Sequence, residues 1–194
     1  AGLLDCNFDL TPGSRKAAIY VAWERELQGG ITDLVIPVEI RRTLGSVSMK
    51  KIIDWLGSPP IWFAELGDGD PVVGRDRFLN QAFSRALDGL AGRFGASPWE
   101  YGSEKFKHVR LRHSLSGSVN EETRVRLEVG PSTRGGNGFT VNQTGFGDNQ
   151  TSGASFRIIA EAGDWDTAVF TNTPGQSGDP DHPMYRNLFE GWAK

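Results

Sequence analysis

The chain has 194 residues, 38% hydrophobic and 23% charged, so it is long enough and apolar enough to bury a core. Its 21 basic and 24 acidic residues are mixed along the chain and leave a formal charge of -3, which argues against a nucleic-acid or anionic-membrane partner. The lone Cys6 excludes an internal disulfide and a cysteine-rich zinc site, and the longest apolar runs, such as 34–38, are too short to span a bilayer.

The opening AGLLDCNFDL has neither the basic n-region nor the apolar h-region of a targeting segment, and none is expected there. The stretch SRKAAIYVAWERELQ, 14–28, sets Ala17, Tyr20, Val21, Glu24 and Leu27 at the spacing of one helical face. Ser14, or Thr11 before Pro12, is a start signal, and Gly29-Gly30 predicts the stop. VSMKKIIDWLG, 47–57, predicts a second helix with Ile52, Trp55 and Leu56 inward, ending before Pro59-Pro60. RDRFLNQAFSRALDGLAGRFG, 75–95, is the strongest helical segment, with a wide apolar face that includes Phe78, Ala82, Ala86 and Leu90 and a stop at Gly95.

After Pro98 the apolar period changes from about 3.6 to 2. HVRLRHSL, 108–115, and RVRLEVG, 124–130, alternate apolar and charged residues and predict half-buried strands. SFRIIAEA, 155–162, and TAVFTN, 167–172, flank Gly163-Asp164-Trp165-Asp166 and predict a hairpin. A short helix is expected near 184–193. The pattern is α+β, with a mainly helical segment over 1–98 and a β-rich segment with a short C-terminal helix over 99–194. The Gly-rich loop 130–153 is longer than an ordinary turn, as functional or externally held loops are.

Motifs that carry chemistry are incomplete. Ser48-Met49-Lys50-Lys51 fits the S-x-x-K pattern of serine acylation, but its S-D-N and K-T-G companions are absent. Gly175-Gln176-Ser177-Gly178 fails the nucleophile-elbow spacing because Asp179 stands where the last glycine belongs. His108 and His113 lie five apart on a predicted strand and point to opposite faces, so with His182 they make no shared zinc site or dyad. The pairs Asp68/Asp70, Asp164/Asp166 and Asp179/Asp181 read first as turn signals rather than calcium ligands. Asn142-Gln143-Thr144 and Asn149-Gln150-Thr151 fit the glycosylation sequon, and Trp23, Trp55 and Trp62 read as packing residues. No catalytic residue, metal ligand or cofactor-binding residue is assigned.

The second half nevertheless resembles a known family. HVRLRHSLS, GGNGFTVNQ and SGASFRIIAEAGDWDTAVFTNTPGQSGDPDHPMYRNLFEGW are similar to the C-terminal part of the β chain in the penicillin amidase family of N-terminal-nucleophile hydrolases. LLDCNFDLTPGSRKAAIYVAWERELQ more loosely resembles the family segment in which a tryptophan-containing turn leads into a helix, with Cys6-Asn7-Phe8 in place of that turn. The resemblance implies a portion of a four-layer αββα sandwich and a parent enzyme that hydrolyses a linear amide to a carboxylic acid and an amine. In the family a serine hydroxyl attacks, its own α-amine takes the proton, and an asparagine side chain and backbone amides hold the oxyanion. The family's nucleophile opens a Ser-Asn-x-Trp motif, and none occurs here; residue 1 is Ala1. The chain is therefore expected to be structural, partnered by the remainder of the acylase, namely its α chain and the N-terminal part of the β chain. The substrate would be a small-molecule amide of the family's range, from penicillins and cephalosporins to acyl-homoserine lactones and lipopeptides. The same resemblance implies a periplasmic or secreted bacterial protein. Such a piece should leave apolar groups of its strands uncovered over 108–172. The rival expectation is a self-contained, non-catalytic α+β binding module that uses loop 130–153.

Overall fold

The computed structural model describes residues 6–140, 147–151, 154 and 156–193. The chain forms two compact units, Ala18–Trp99 on one side and Cys6–Ala17 with Glu100–Lys194 on the other. It is mixed α+β, helical in the first half and with small sheets in the second.

In the first unit, α1 (Arg15–Val35) continues straight through Gly29-Gly30, past the predicted stop. Two glycines cost a helix interior about 1 kcal/mol each, and burial of the following turn offsets that: Ile31 is fully buried and Thr32 nearly so. The absent side chain also has a use, because a Cβ on Gly30 would lie 2.9 Å from Cζ of Phe78. A 3-10 turn, Val38–Ile40, leads into α2 (Arg41–Leu44) and then α3 (Met49–Gly57). A second 3-10 helix, Ile61–Leu66, precedes α4 (Pro71–Phe94). Asp70 caps α4 by accepting the amide hydrogens of Val72 and Val73, with Pro71 as the first helical residue, so the helix starts one turn earlier than periodicity alone indicates.

The core of this unit gathers Leu27, Ile31, Ile52, Phe63, Phe78 and Ala82. Aromatic rings rim it: Trp55 meets Trp62 edge to face at 5.6 Å and Trp23 meets Phe83 at 5.7 Å, the packing role expected of these tryptophans. Polar groups at the rim are satisfied locally. Gln28 donates from Nε2 to the Val47 carbonyl at 2.9 Å, and Arg75 donates from Nη1 to the Leu56 carbonyl at 3.0 Å. The start of α4 lies on the 3-10 helix with no gap for a side chain. A Cβ on Gly74 would fall 1.8 Å from the Phe63 carbonyl oxygen.

In the second unit, β1 (His108–Leu111) is the middle strand of three. It is antiparallel to β2 (Val129–Thr133), with Val109 opposite Ser132, and parallel to the two-residue β3 (Asn149–Gln150). Residues 124–127, expected to be strand, are instead the end of α5 (Glu121–Leu127). The reason is local: the Asn120 side chain accepts the Thr123 amide hydrogen at 2.9 Å, Glu121 and Glu122 fill the first turn, and Arg124 and Arg126 the last. Val125 is exposed, and of the alternating apolar residues only Val129, beyond the helix and at the start of the strand that does form, is buried. The predicted hairpin forms as β4 (Phe156–Glu161) and β5 (Asp164–Asn172), antiparallel, with Ile158 opposite Phe170 and Ile159 opposite Val169. A 3-10 turn, Pro183–Tyr185, and α6 (Phe189–Ala193) complete the chain's described elements. Val109, Val129, Tyr185, Phe189 and Trp192 form this unit's buried cluster.

Candidate functional site

The segment from Pro174 to Ala193 crosses the second unit as a strap, and its path is set by backbone contacts. The Gln176 and Ser177 amides both donate to the Met184 carbonyl, at 2.9 and 3.2 Å, and the Leu188 amide donates to the Pro174 carbonyl at 3.1 Å. Side chains then fix the strap to its neighbours. Tyr185 donates its hydroxyl hydrogen to the Leu127 carbonyl at 2.6 Å, Trp192 donates from Nε1 to the Ala154 carbonyl at 2.6 Å, and Arg186 donates to the Arg126 carbonyl at 2.8 Å. Arg126 in turn pairs with Asp181.

The hairpin meets this strap on one face. Side chains alternate across a strand pair, so Arg157, Ile159, Val169 and Thr171 share one face, and Phe156, Ile158 and Phe170 the other. On the first face Thr171 donates to the Leu188 carbonyl at 3.1 Å and Arg157 donates to the Trp192 carbonyl. On the opposite face Phe156, Ile158 and Phe170 are 53%, 62% and 69% exposed, with the two phenyl rings 5.8 Å apart. Ile159, Val169 and Trp165 are exposed as well. Since Ile159 and Val169 lie on the strap-side face, apolar groups are exposed on both faces of this two-stranded sheet, which has too little core to hold itself together in water.

Arg134 and Arg157 flank Trp192, with their guanidinium carbons 5.8 and 4.7 Å from its ring centre. Both donate to carbonyls at the end of α6, Arg134 to Ala193 and Arg157 to Trp192, where the helix has spare acceptors. Arg134, nearly fully buried, also donates from Nε to the Gln150 side chain at 3.1 Å. Burial, and then the charge of Arg157, pull the Arg134 pKa down to about 10. Burial also lowers that of Arg157.

The residues singled out in the sequence are dispersed. Ser48 is the N-cap of α3, its hydroxyl accepting the Lys51 amide hydrogen, while Lys50 pairs with Asp54. The Ser177 hydroxyl accepts the Asp179 amide hydrogen at 3.1 Å within the strap. Asp68 pairs with Arg77, Asp70 caps α4, Asp181 pairs with Arg126, and Asp164 and Asp166 are exposed on the hairpin. His108 sits beside the Phe106 carbonyl, His113 accepts the Leu115 amide hydrogen, and His182 caps the turn at Pro183. Among the described residues no group of three His, Cys, Asp or Glu is disposed to hold a metal ion. Asn149 of the second sequon is engaged, its Oδ1 accepting the Arg110 amide hydrogen. The first sequon, Asn142-Gln143-Thr144, lies outside the described residues, as do Ala1, Ser155 and parts of loop 130–153. The arginine pair at Trp192, Arg134 buried and Arg157 half-buried, was missed in the sequence. Its one signal was the alternation that put Arg157 on the same face of β4 as Ile159.

Among the described residues no helix is long and apolar enough to cross a membrane. No curated protein matches the chain. The family model for penicillin amidase matches residues 2–194. That match spans both units, and it includes the hairpin and the strap that pins it. The chain belongs to the penicillin amidase family, whose activity is acylase-type hydrolysis of amides.

Proposed function

We propose that this chain is the C-terminal portion of a penicillin-amidase-type acylase that hydrolyses a linear amide to a carboxylic acid and an amine. Its own role is structural: it seats the last strands of the enzyme and carries no nucleophile. The observation that supports this is the bare stripe of Phe156, Ile158 and Phe170 on β4–β5. Burying each such side chain stabilises by about 1.5–3 kcal/mol, which is the driving force for joining the hairpin to strands supplied by the remainder of the acylase. The sequence agrees, since it holds no Ser-Asn-x-Trp motif. The two serines with partial motifs, Ser48 and Ser177, have hydroxyls engaged by backbone amides. The nucleophilic serine, its α-amine base and the oxyanion donors belong to the remainder, and the working site is periplasmic or secreted.

The test is complementation. The 194-residue chain, expressed alone, should turn over none of a panel of chromogenic acyl amides. Coexpressed with the α chain and the N-terminal part of the β chain, it should give an active acylase. Turnover by the chain alone, or activity of the remainder without it, would overturn the proposal.

A further inference from the structure

Three positions in the sequence set glycine after an acidic residue or its amide: Asp68-Gly69, Asp88-Gly89 and Asn137-Gly138. Such a pair is open to one reaction of its own. The glycine nitrogen, uncrowded for want of a Cβ, attacks the preceding side-chain carbonyl carbon and closes a cyclic imide. The structure blocks this at the first two positions. Gly69 donates its amide hydrogen to the Ala64 carbonyl at 3.0 Å, and the hydrogen bond from Arg77, and then its charge, keep Asp68 an ionised carboxylate, which is a poor electrophile. Asp88-Gly89 lies inside α4, where the helix fixes the backbone and takes up the amide hydrogen.

Asn137-Gly138 meets none of these obstacles. It lies outside the helices and strands, just after β2, and both residues are half-buried. Among the described residues the Gly138 amide has no acceptor. The Asn137 Oδ1 accepts the Phe139 amide hydrogen at 3.0 Å, which curls this neutral side chain over the peptide that joins it to Gly138. The same N–H polarises the side-chain carbonyl and stabilises the negative charge that gathers on Oδ1 as the nitrogen adds, as an oxyanion donor does. Thr140 holds the turn: its Oγ1 accepts the Asn137 amide hydrogen at 3.1 Å, and its own amide donates to the Asn137 carbonyl at 3.2 Å.

We propose that Asn137-Gly138 is a self-modifying site, at which the fold promotes deamidation. The Gly138 nitrogen loses its proton to solvent and bonds to Asn137 Cγ, the Cγ–Nδ2 bond breaks, and Nδ2 takes up a proton from solvent and leaves as ammonia. Water then opens the imide at either carbonyl, giving aspartate or isoaspartate. Both products add a negative charge. Isoaspartate also adds one carbon to the main chain beside Gly136, whose amide donates to the Leu10 carbonyl at 2.7 Å and whose carbonyl accepts the Tyr101 hydroxyl hydrogen at 2.6 Å. The chemistry is the chain's own and does not depend on the remainder of the acylase.

The 194-residue chain is incubated at mildly alkaline pH, folded or unfolded in urea, and then digested with trypsin. In the folded chain the peptide 135–157 should gain one dalton and become a substrate for an isoaspartate-specific methyltransferase, with no isoaspartate at Asp68 or Asp88. Fragment masses assign the change to Asn137 rather than to Asn142 or Asn149. Conversion should be faster in the folded chain than in urea, and slower at mildly acid pH because the attacking nitrogen must shed its proton. Phe139→Pro keeps the Asn-Gly pair, removes the N–H on Oδ1 and should slow conversion at least to the unfolded rate; Phe139 is 63% exposed, so the change gives up little packing. Conversion no faster in the folded parent chain than in urea overturns the proposal and needs no variant. A folded Phe139→Pro chain that converts at the parent rate overturns it as well.

Discussion

Tyr185 donates its hydroxyl hydrogen to the carbonyl of Leu127 at 2.6 Å, tying the strap to the end of α5 across 58 residues of sequence. The ring itself is buried in the cluster with Val109, Val129 and Phe189, so Tyr185 acts as both core residue and tie. Removing only the hydroxyl, Tyr185→Phe, leaves the Leu127 carbonyl without its donor and should cost about 1–2 kcal/mol. Tyr185→Ala also opens a cavity and should cost about 3–5 kcal/mol. Urea denaturation followed by circular dichroism measures both, and equal losses would show that the hydrogen bond rather than the packing dominates.

Ser48 separates a catalytic serine from a structural one. As the N-cap of α3 it should lose about 1 kcal/mol on Ser48→Ala, and Ser48→Asp should restore the cap. Amide hydrolysis by the assembled acylase should be unchanged in both variants. Activity lost in both while stability recovers in Ser48→Asp would make the hydroxyl catalytic.

Gly74 and Gly89 lie on the same helix, α4, and should respond in opposite ways to one added methyl group. On Gly74 the new Cβ meets the Phe63 carbonyl oxygen at 1.8 Å, so the backbones must part, and Gly74→Ala should cost about 3 kcal/mol. Around Gly89 nothing lies within 4 Å, and Gly89→Ala should stabilise by up to about 1 kcal/mol through helix propensity. Thermal melts of the two variants check the pair, and similar shifts would count against the close approach of α4 and the 3-10 helix.

Asp68 carries a pH dependence whose sign is set by Arg77. The hydrogen bond from Arg77, and then its charge, hold the Asp68 carboxyl below its ordinary value of 3.8. A depressed folded-state pKa stabilises the fold at pH above the unfolded value, and that contribution is lost as the pH falls through the folded one. Tm should therefore fall less steeply below pH 4 in Asp68→Asn than in the parent. Both groups are well exposed, so the difference should shrink in high salt.

The hairpin stripe makes assembly and stability separable. Ile158→Lys on the bare face should change the stability of the chain by no more than about 0.5 kcal/mol, because the side chain already faces water. It should lower binding of a hydrophobic dye and abolish assembly with the remainder of the acylase. Unimpaired assembly of Ile158→Lys would remove the stripe as the joining surface.

The helices of the first half were legible because their apolar residues repeat at helical spacing, whereas the caps at Ser48 and Asp70 went unread in the sequence and emerge only in the structure. The hairpin was legible from its turn residues and alternation. Two local features misled. Gly29-Gly30 reads as a stop, yet α1 continues because Ile31 beyond it is buried. Residues 124–127 alternate like a strand, yet Asn120 and the flanking charges start a helix there. The candidate site was less visible than the fold, since Arg157 and Trp192 lie 35 positions apart and a residue's partner across that distance has no local signature.

Thus the sequence by itself determined the helical first half, the presence of the hairpin and the family, since periodicity and motifs are written in neighbouring residues. The tertiary structure alone decided where the strap meets the hairpin, at Arg157 and Thr171. It also brought two like-charged guanidiniums to one tryptophan ring. Both outcomes depend on packing between distant segments, where burial outweighs local preference.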